Sequence, residues 1–140
     1  MCLSFLLRLK HKEVSEMWRE YNPNPCHKRV GDCTVRAISK LLGQSWEQTY
    51  IELCIYGFME CDMPSGNAVW GRYLRDKGYV RQLITDVPGY TVAEFAERFN
   101  KGTYLLALQN HVVTVFDGDY YDMWDSGNEE TIYFWMRKDD

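Results

Sequence analysis

After Gly102 the chain changes its residue pattern, and this change constrains the fold more than any other feature. Thr103 to Leu108 and His111 to Phe116 are strand-length runs of apolar and β-branched residues. Asp117-Gly118 between His111–Phe116 and the next run, Tyr120 to Trp124, is a hairpin signal. Ser126-Gly127-Asn128 turns the chain again, and Thr131 to Arg137 reads as a final aromatic-rich strand. The last third therefore predicts an antiparallel meander.

The first two-thirds carry helical spacing instead. Val35, Ile38 and Leu42, with Ala37 and Leu41 beside them, make an apolar stripe over Cys33 to Leu42, closed by Gly43. Ser45 with Gln48 predicts a capping box for a second helix with Trp46, Tyr50 and Leu53 inward, followed by a loop from Gly57 to Met63. Ser65 opens a third helix carrying Val69, Trp70, Tyr73 and Leu74, and Gly78 closes it. Tyr79 to Ile84 reads as a short strand. Thr91 with Glu94 caps a fourth helix whose buried side is Val92, Phe95 and Phe99. Helices followed by strands predict an α+β domain, with the Cys33 helix packed on a C-terminal antiparallel sheet.

At 140 residues the chain is one domain with room for a core. Its 46% apolar and 15% aromatic content argue against disorder. A net charge of −4 and no basic tract argue against a nucleic-acid partner. The run Leu3-Ser4-Phe5-Leu6-Leu7 is too short for a membrane span and too short and poorly flanked for a signal peptide. Residues 1–16 are read as an appendage and residues 17–140 as the domain. The five cysteines are odd in number and form no CxxC pair, which points to reduced thiols in a cytoplasmic setting rather than a disulfide framework. Cys26, His27 and Cys33 match no metal-ligand spacing, and no cofactor is implied.

Candidate chemistry starts at Gly31-Asp32-Cys33-Thr34. Asp32 is placed to cap the helix, which sets Cys33 in its first turn near unpaired N–H groups and the positive end of the dipole. That environment favours the thiolate, the nucleophilic form. A thiol nucleophile needs a base, and the base an orienting group. His111 opens one strand and Asp125 ends the next. If Asp117-Gly118-Asp119 is a three-residue loop, Phe116 pairs with Tyr120 and His111 faces Asp125. With a two-residue loop His111 faces Trp124 instead, and Asp125 turns to the other side. Asp122 is the competing partner, on the opposite face from Asp125. Trp124 is the aromatic expected beside the His–Asp pair. Each of these residues alone has an ordinary structural reading; together they form a pattern.

Helix-opening Cys33, strand-borne His111 and then Asp125, in that chain order, resemble the papain-like cysteine peptidases. Asp125-Ser126-Gly127 looks like a shortened counterpart of that superfamily's Asn-Ser-Trp-Gly. Gly31 to Ile38 with Asn110-His111-Val112-Val113 also resembles small uncharacterised phage and gut-bacterial proteins assigned to the papain-like fold. The resemblance spans about Tyr21 to Lys138. It implies a papain-like fold and a thiol hydrolase acting on a peptide, isopeptide or related amide bond of a peptide or protein substrate. In it Cys33 is the nucleophile, His111 the base and Asp125 its orienter. The Gln that papain-like enzymes place before the Cys is missing. His27 stands six residues before Cys33; Asn22 and Asn24 are the nearby amides, and Asn24 is assigned as second oxyanion donor. The alternative is a binding module of the same fold without catalysis, such as a phage-encoded inhibitor of a host protein.

Overall fold

A computed structural model of the chain describes residues 14–139. The alternating segments after Gly102 form the centre of a six-stranded mixed sheet. In chain order the elements are α1 (Val14–Met17), β1 (Trp18–Glu20), α2 (Cys33–Leu42), α3 (Trp46–Glu60), α4 (Asn67–Asp76), β2 (Tyr79–Leu83), α5 (Val92–Arg98), β3 (Thr103–Leu108), β4 (His111–Phe116), β5 (Asp119–Asp122) and β6 (Tyr133–Arg137). The strands lie side by side as β1-β5-β4-β3-β6-β2. The α+β expectation holds at this level.

Period-two alternation sends successive side chains of the central strands into two cores, one on each face. Leu105 and Ala107 join Ile38, Leu53, Trp70, Leu74 and Trp135 under α2, α3 and α4. Leu106 and Leu108 join Met17, Val92, Phe95, Val113, Tyr120 and Phe134 under α1 and α5. Burial on both faces is why β3 reads as a near-continuous apolar run. Thr114 Oγ1 on β4 donates to the Ala37 carbonyl at 2.6 Å and fixes α2 across the sheet.

Several expectations change. β6 does not continue the meander beside β5; it crosses back to lie between β3 and β2, antiparallel to both. β1 had no sequence signal, and it pairs in parallel with β5 at the opposite edge. α3 runs past Gly57 to Glu60, because Gly57 serves close packing rather than a stop: a Cβ there would sit 2.8 Å from the Asp62 carbonyl oxygen. α4 starts at Asn67, with Gly66 rather than Ser65 before it. Tyr50, expected inward, is half exposed and stacked on Trp46 at 4.9 Å. The Thr91–Glu94 capping box is complete, and Gly43 closes α2 in the left-handed conformation at φ 65°.

Buried Met17 belongs to the sheet's second core. Residues 1–13 of the expected appendage lie outside the described residues. Among the described residues no helix is long and apolar enough to cross a membrane.

Candidate active site

The turn between β4 and β5 decides which acid meets His111. Asp117 and Gly118 both take positive φ, 47° and 84°, the conformation of a two-residue loop. Phe116 therefore pairs with Asp119, Val115 with Tyr120 and Thr114 with Tyr121. The same count carried outward sets Val113 opposite Asp122 and His111 opposite Trp124. The rings of His111 and Trp124 indeed lie 4.5 Å apart. Asp122, buried and diagonal to His111, holds its ring: Nε2 lies 2.6 Å from Asp122 Oδ2. Asp125, assigned from the three-residue loop, is on another path. It accepts from the Tyr120 hydroxyl and from the Gly127 N–H, the latter at 3.0 Å. The carboxylate beside His111 is therefore Asp122 and not the expected Asp125, and the cause is a single residue of loop length.

Asp122 is fully engaged. Its Oδ2 also accepts from Ser126 Oγ at 2.7 Å, and its Oδ1 accepts from Arg36 at 3.0 Å and from the Met123 N–H at 2.9 Å. Its backbone carbonyl accepts from the Tyr21 N–H at 2.9 Å and from Trp18 Nε1 at 3.1 Å, so β1 clamps the residue from outside. Arg36, only 2% exposed, spans two carboxylates, with its other nitrogen 2.5 Å from Asp32 Oδ1.

Asp32 stands before α2 as expected but does not cap it. Its carboxylate turns inward to Arg36 and to Trp46 Nε1, the latter at 2.9 Å. No side chain at Asp32 therefore covers the first-turn N–H groups of α2. Cys33 sits half-buried at that tip and lines one cavity with His111. With Nε2 on the carboxylate, Nδ1 is the ring nitrogen left for the sulfur.

Burial alone would raise the Cys33 thiol. The hydrogen bond to His111, a backbone hydrogen bond at Val112, the imidazolium charge and the Thr34 side chain outweigh burial and hold the thiol below its ordinary value. Burial likewise opposes protonation of His111. Hydrogen bonds to Asp122 and Cys33, and the negative charge on both, overcome it and hold the ring protonated up to about 9. A thiolate–imidazolium pair is the state these shifts favour. The stabilisation from His111 is full below its ordinary value of about 6.5 and is lost as pH rises through about 9. That from Cys33 has the opposite sign: it is full above the ordinary thiol value and lost as pH falls through the lowered one.

Two cavities meet at the tip of α2. One, of about 480 Å³, is lined by Cys33, His111, Asn110, Trp70 and Tyr133. The other, of about 470 Å³, is lined by Val30, Trp46, Tyr50, Leu53 and Pro64; Thr34 and Ser65 belong to both. Asn24 is buried and lines the second cavity rather than the one holding Cys33. Its Oδ1 accepts from the Cys26 N–H at 2.8 Å, so its NH2 is what it can offer a ligand.

The sequence therefore placed Cys33, His111 and Trp124 together, set Asp122 behind Asp125 as partner, and missed Arg36 as the bridge. Two signals were present: the preference of Asp-Gly for two-residue turns, and the helical i, i+4 spacing of Asp32 and Arg36. Compared with protein-family models, with curated proteins and with solved structures, the chain matches none.

Proposed function

We propose that this protein is a thiol hydrolase of papain-like fold, cleaving a peptide, isopeptide or related amide bond through Cys33, His111 and Asp122. One observation carries the reading: a half-buried cysteine at a helix tip lines the same cavity as a histidine whose Nε2 lies 2.6 Å from a buried carboxylate. A structural cysteine needs neither partner. In the reaction the Cys33 thiolate adds to the carbonyl carbon. The oxyanion is met by the Cys33 backbone N–H at the helix tip. His111 gives its Nδ1 proton to the leaving amine, whose C–N bond breaks and leaves an acyl thioester. Water then attacks, His111 takes its proton, and the carboxylic acid departs with the thiolate restored. Asp122 keeps the ring oriented and stabilises its charge, without itself taking up the proton.

Alkylation tests this directly. At neutral pH, iodoacetamide should modify Cys33 at least about tenfold faster than Cys26, Cys54 or Cys61, since an ordinary thiol is only a few per cent ionised there. His111→Ala should abolish the difference. Equal labelling of the four by mass spectrometry would remove the hydrolase reading.

Hydrolysis and alkylation should also part company at high pH. Hydrolysis needs both the thiolate and a protonated His111, so kcat/KM should rise through the lowered thiol value and fall again near pH 9. Alkylation needs only the thiolate and should keep its acid limb without the fall.

A second reading, a non-catalytic binding module, draws on the outer face of α3. Ile51, Ile55, Phe58 and Met59 are exposed there, Phe58 at 85%. Equal labelling in the alkylation experiment is the outcome that favours it.

A further inference from the structure

Arg75, Arg81 and Arg137 gather at one edge of the sheet, in a chain whose net charge is −4. The register of β2 against β6 pairs Tyr79 with Arg137, Arg81 with Trp135 and Leu83 with Tyr133, and directly opposed residues share a face. Arg75 reaches the same rings from the last turn of α4. Each guanidinium is set over a ring: Arg81 at 4.3 Å from the centroid of Tyr133, Arg137 at 5.5 Å from Tyr79 and Arg75 at 5.9 Å from Trp135. Tyr79 and Trp135 are buried, and the three arginines are exposed.

Neighbouring cations are already matched. Lys77 lies 3.5 Å from Glu52, and Arg72 pairs with Glu60. Asp76, next to Arg75 in the chain, accepts from the Tyr56 hydroxyl. Arg75, Arg81 and Arg137 have no carboxylate partner among the described residues. A ring beneath a guanidinium restricts its rotamers while its N–H fork stays available, so the three are ordered before an anion arrives. From Tyr133 to Arg137 β6 advances about 13 Å, the reach of about four extended residues. Tyr133 also lines the cavity that contains Cys33, so the arginine strip begins at a wall of that cavity.

β2 ends the strand order, and the outer backbone groups of Tyr79–Leu83 face no further strand among the described residues. We propose that this edge docks an extended acidic polypeptide segment, which adds as a strand and sets carboxylates at alternate positions against Arg81, Arg75 and Arg137. The inference goes beyond the hydrolase reading and stands whether or not Cys33 is catalytic. The open edge supplies main-chain hydrogen bonds, and the period of two sends every second side chain to the arginine face. A nucleic acid would meet the charge, but it has no peptide groups to pair with the edge. Tyr79 and Trp135, on which its bases would have to stack, are buried.

Fluorescence anisotropy with a short labelled peptide of alternating Asp and Thr tests this. It should bind at least about tenfold more tightly than the matching Lys and Thr peptide. Methylating the backbone nitrogens of either the Asp or the Thr residues keeps the charge and blocks edge pairing; one of the two methylated peptides should bind about fivefold more weakly or worse. Arg81→Gln combined with Arg137→Gln should weaken the parent peptide about tenfold, and Arg75→Gln provides the same comparison if the double variant fails to fold. Lys101→Gln, exposed and ahead of β3, and Cys33→Ala should bind as the parent does. Equal affinity for the Asp and Lys peptides would overturn the proposal, as would arginine variants that fold and bind normally, or full affinity of both methylated peptides. An oligothymidine of equal charge that binds more tightly than the Asp peptide, and is lost in the same arginine variants, would give the strip to nucleic acid and overturn it too.

Discussion

Asp122→Ala is expected to destabilise the fold by about 3–5 kcal/mol and to slow Cys33 alkylation at pH 7 about tenfold or more. The removed carboxylate is where four donors converge: Arg36, His111, Ser126 Oγ and the Met123 N–H. Alanine leaves the Arg36 charge half-compensated in the interior and the imidazolium without its counter-charge, and both penalties are those of buried groups. Urea denaturation measures the first effect and the iodoacetamide rate the second. Asp125→Ala is the matched comparison. It loses only the contacts to Tyr120 and Gly127, should cost about 1 kcal/mol, and should leave the alkylation rate unchanged. If the two variants behaved alike, the assignment of Asp122 would fail. Asp122→Asn keeps the shape and removes the charge. It should fold better than the alanine variant, yet bring the basic limb of hydrolysis down from about 9.

Arg36→Met carries the second large effect. The arginine is 2% exposed and is the cation shared by Asp32 and Asp122. Methionine fills similar space and leaves two carboxylates buried without it, at a cost of about 3–5 kcal/mol near neutral pH. The sign of its pH dependence is diagnostic. Carboxylates that must take up protons to stay buried make the folded variant bind more protons than the unfolded chain. Its stability should therefore rise as pH falls from 7 toward 5. Denaturant midpoints at the two pH values would measure this; a variant as stable as the parent at pH 7 would show the bridge to be dispensable. Arg36→Lys should fall between, because one ammonium cannot reproduce a planar fork that serves two acids at once.

Local signals found much of this molecule because much of it is locally determined. α2 from Cys33 to Leu42, its glycine stop and the capping box at Thr91 depend on neighbours a few residues away, and each stands where its pattern sets it. Features fixed by distant partners were not legible. Trp18–Glu20 is too short to show a period and becomes a strand only because β5 offers it an edge. β6 has the same composition whether it pairs with β5 or slots between β3 and β2; the choice is made by the closing of the whole sheet. The site divides in the same way. Cys33 and His111 were legible from where each sits in its own element. The acid was not, since a loop of two residues instead of three exchanges Asp125 for Asp122. Asp32 shows the converse: a residue type that suits a cap was drawn away by a buried guanidinium and an indole.

The clamp on residue 122 bears on when the candidate site assembles during the chain's own synthesis. Trp18 reaches the Asp122 carbonyl across 104 residues of chain, and Arg36 reaches its carboxylate across 86. These contacts bring little reward until the intervening chain exists to close the loops. β6, needed to join β2 to the rest of the sheet, follows the other five strands in chain order and leaves the ribosome after them. A nascent chain therefore exposes Cys33 as an ordinary thiol until β6 has emerged. The proposed nucleophile meets its imidazole and carboxylate only when the six strands have closed into one sheet.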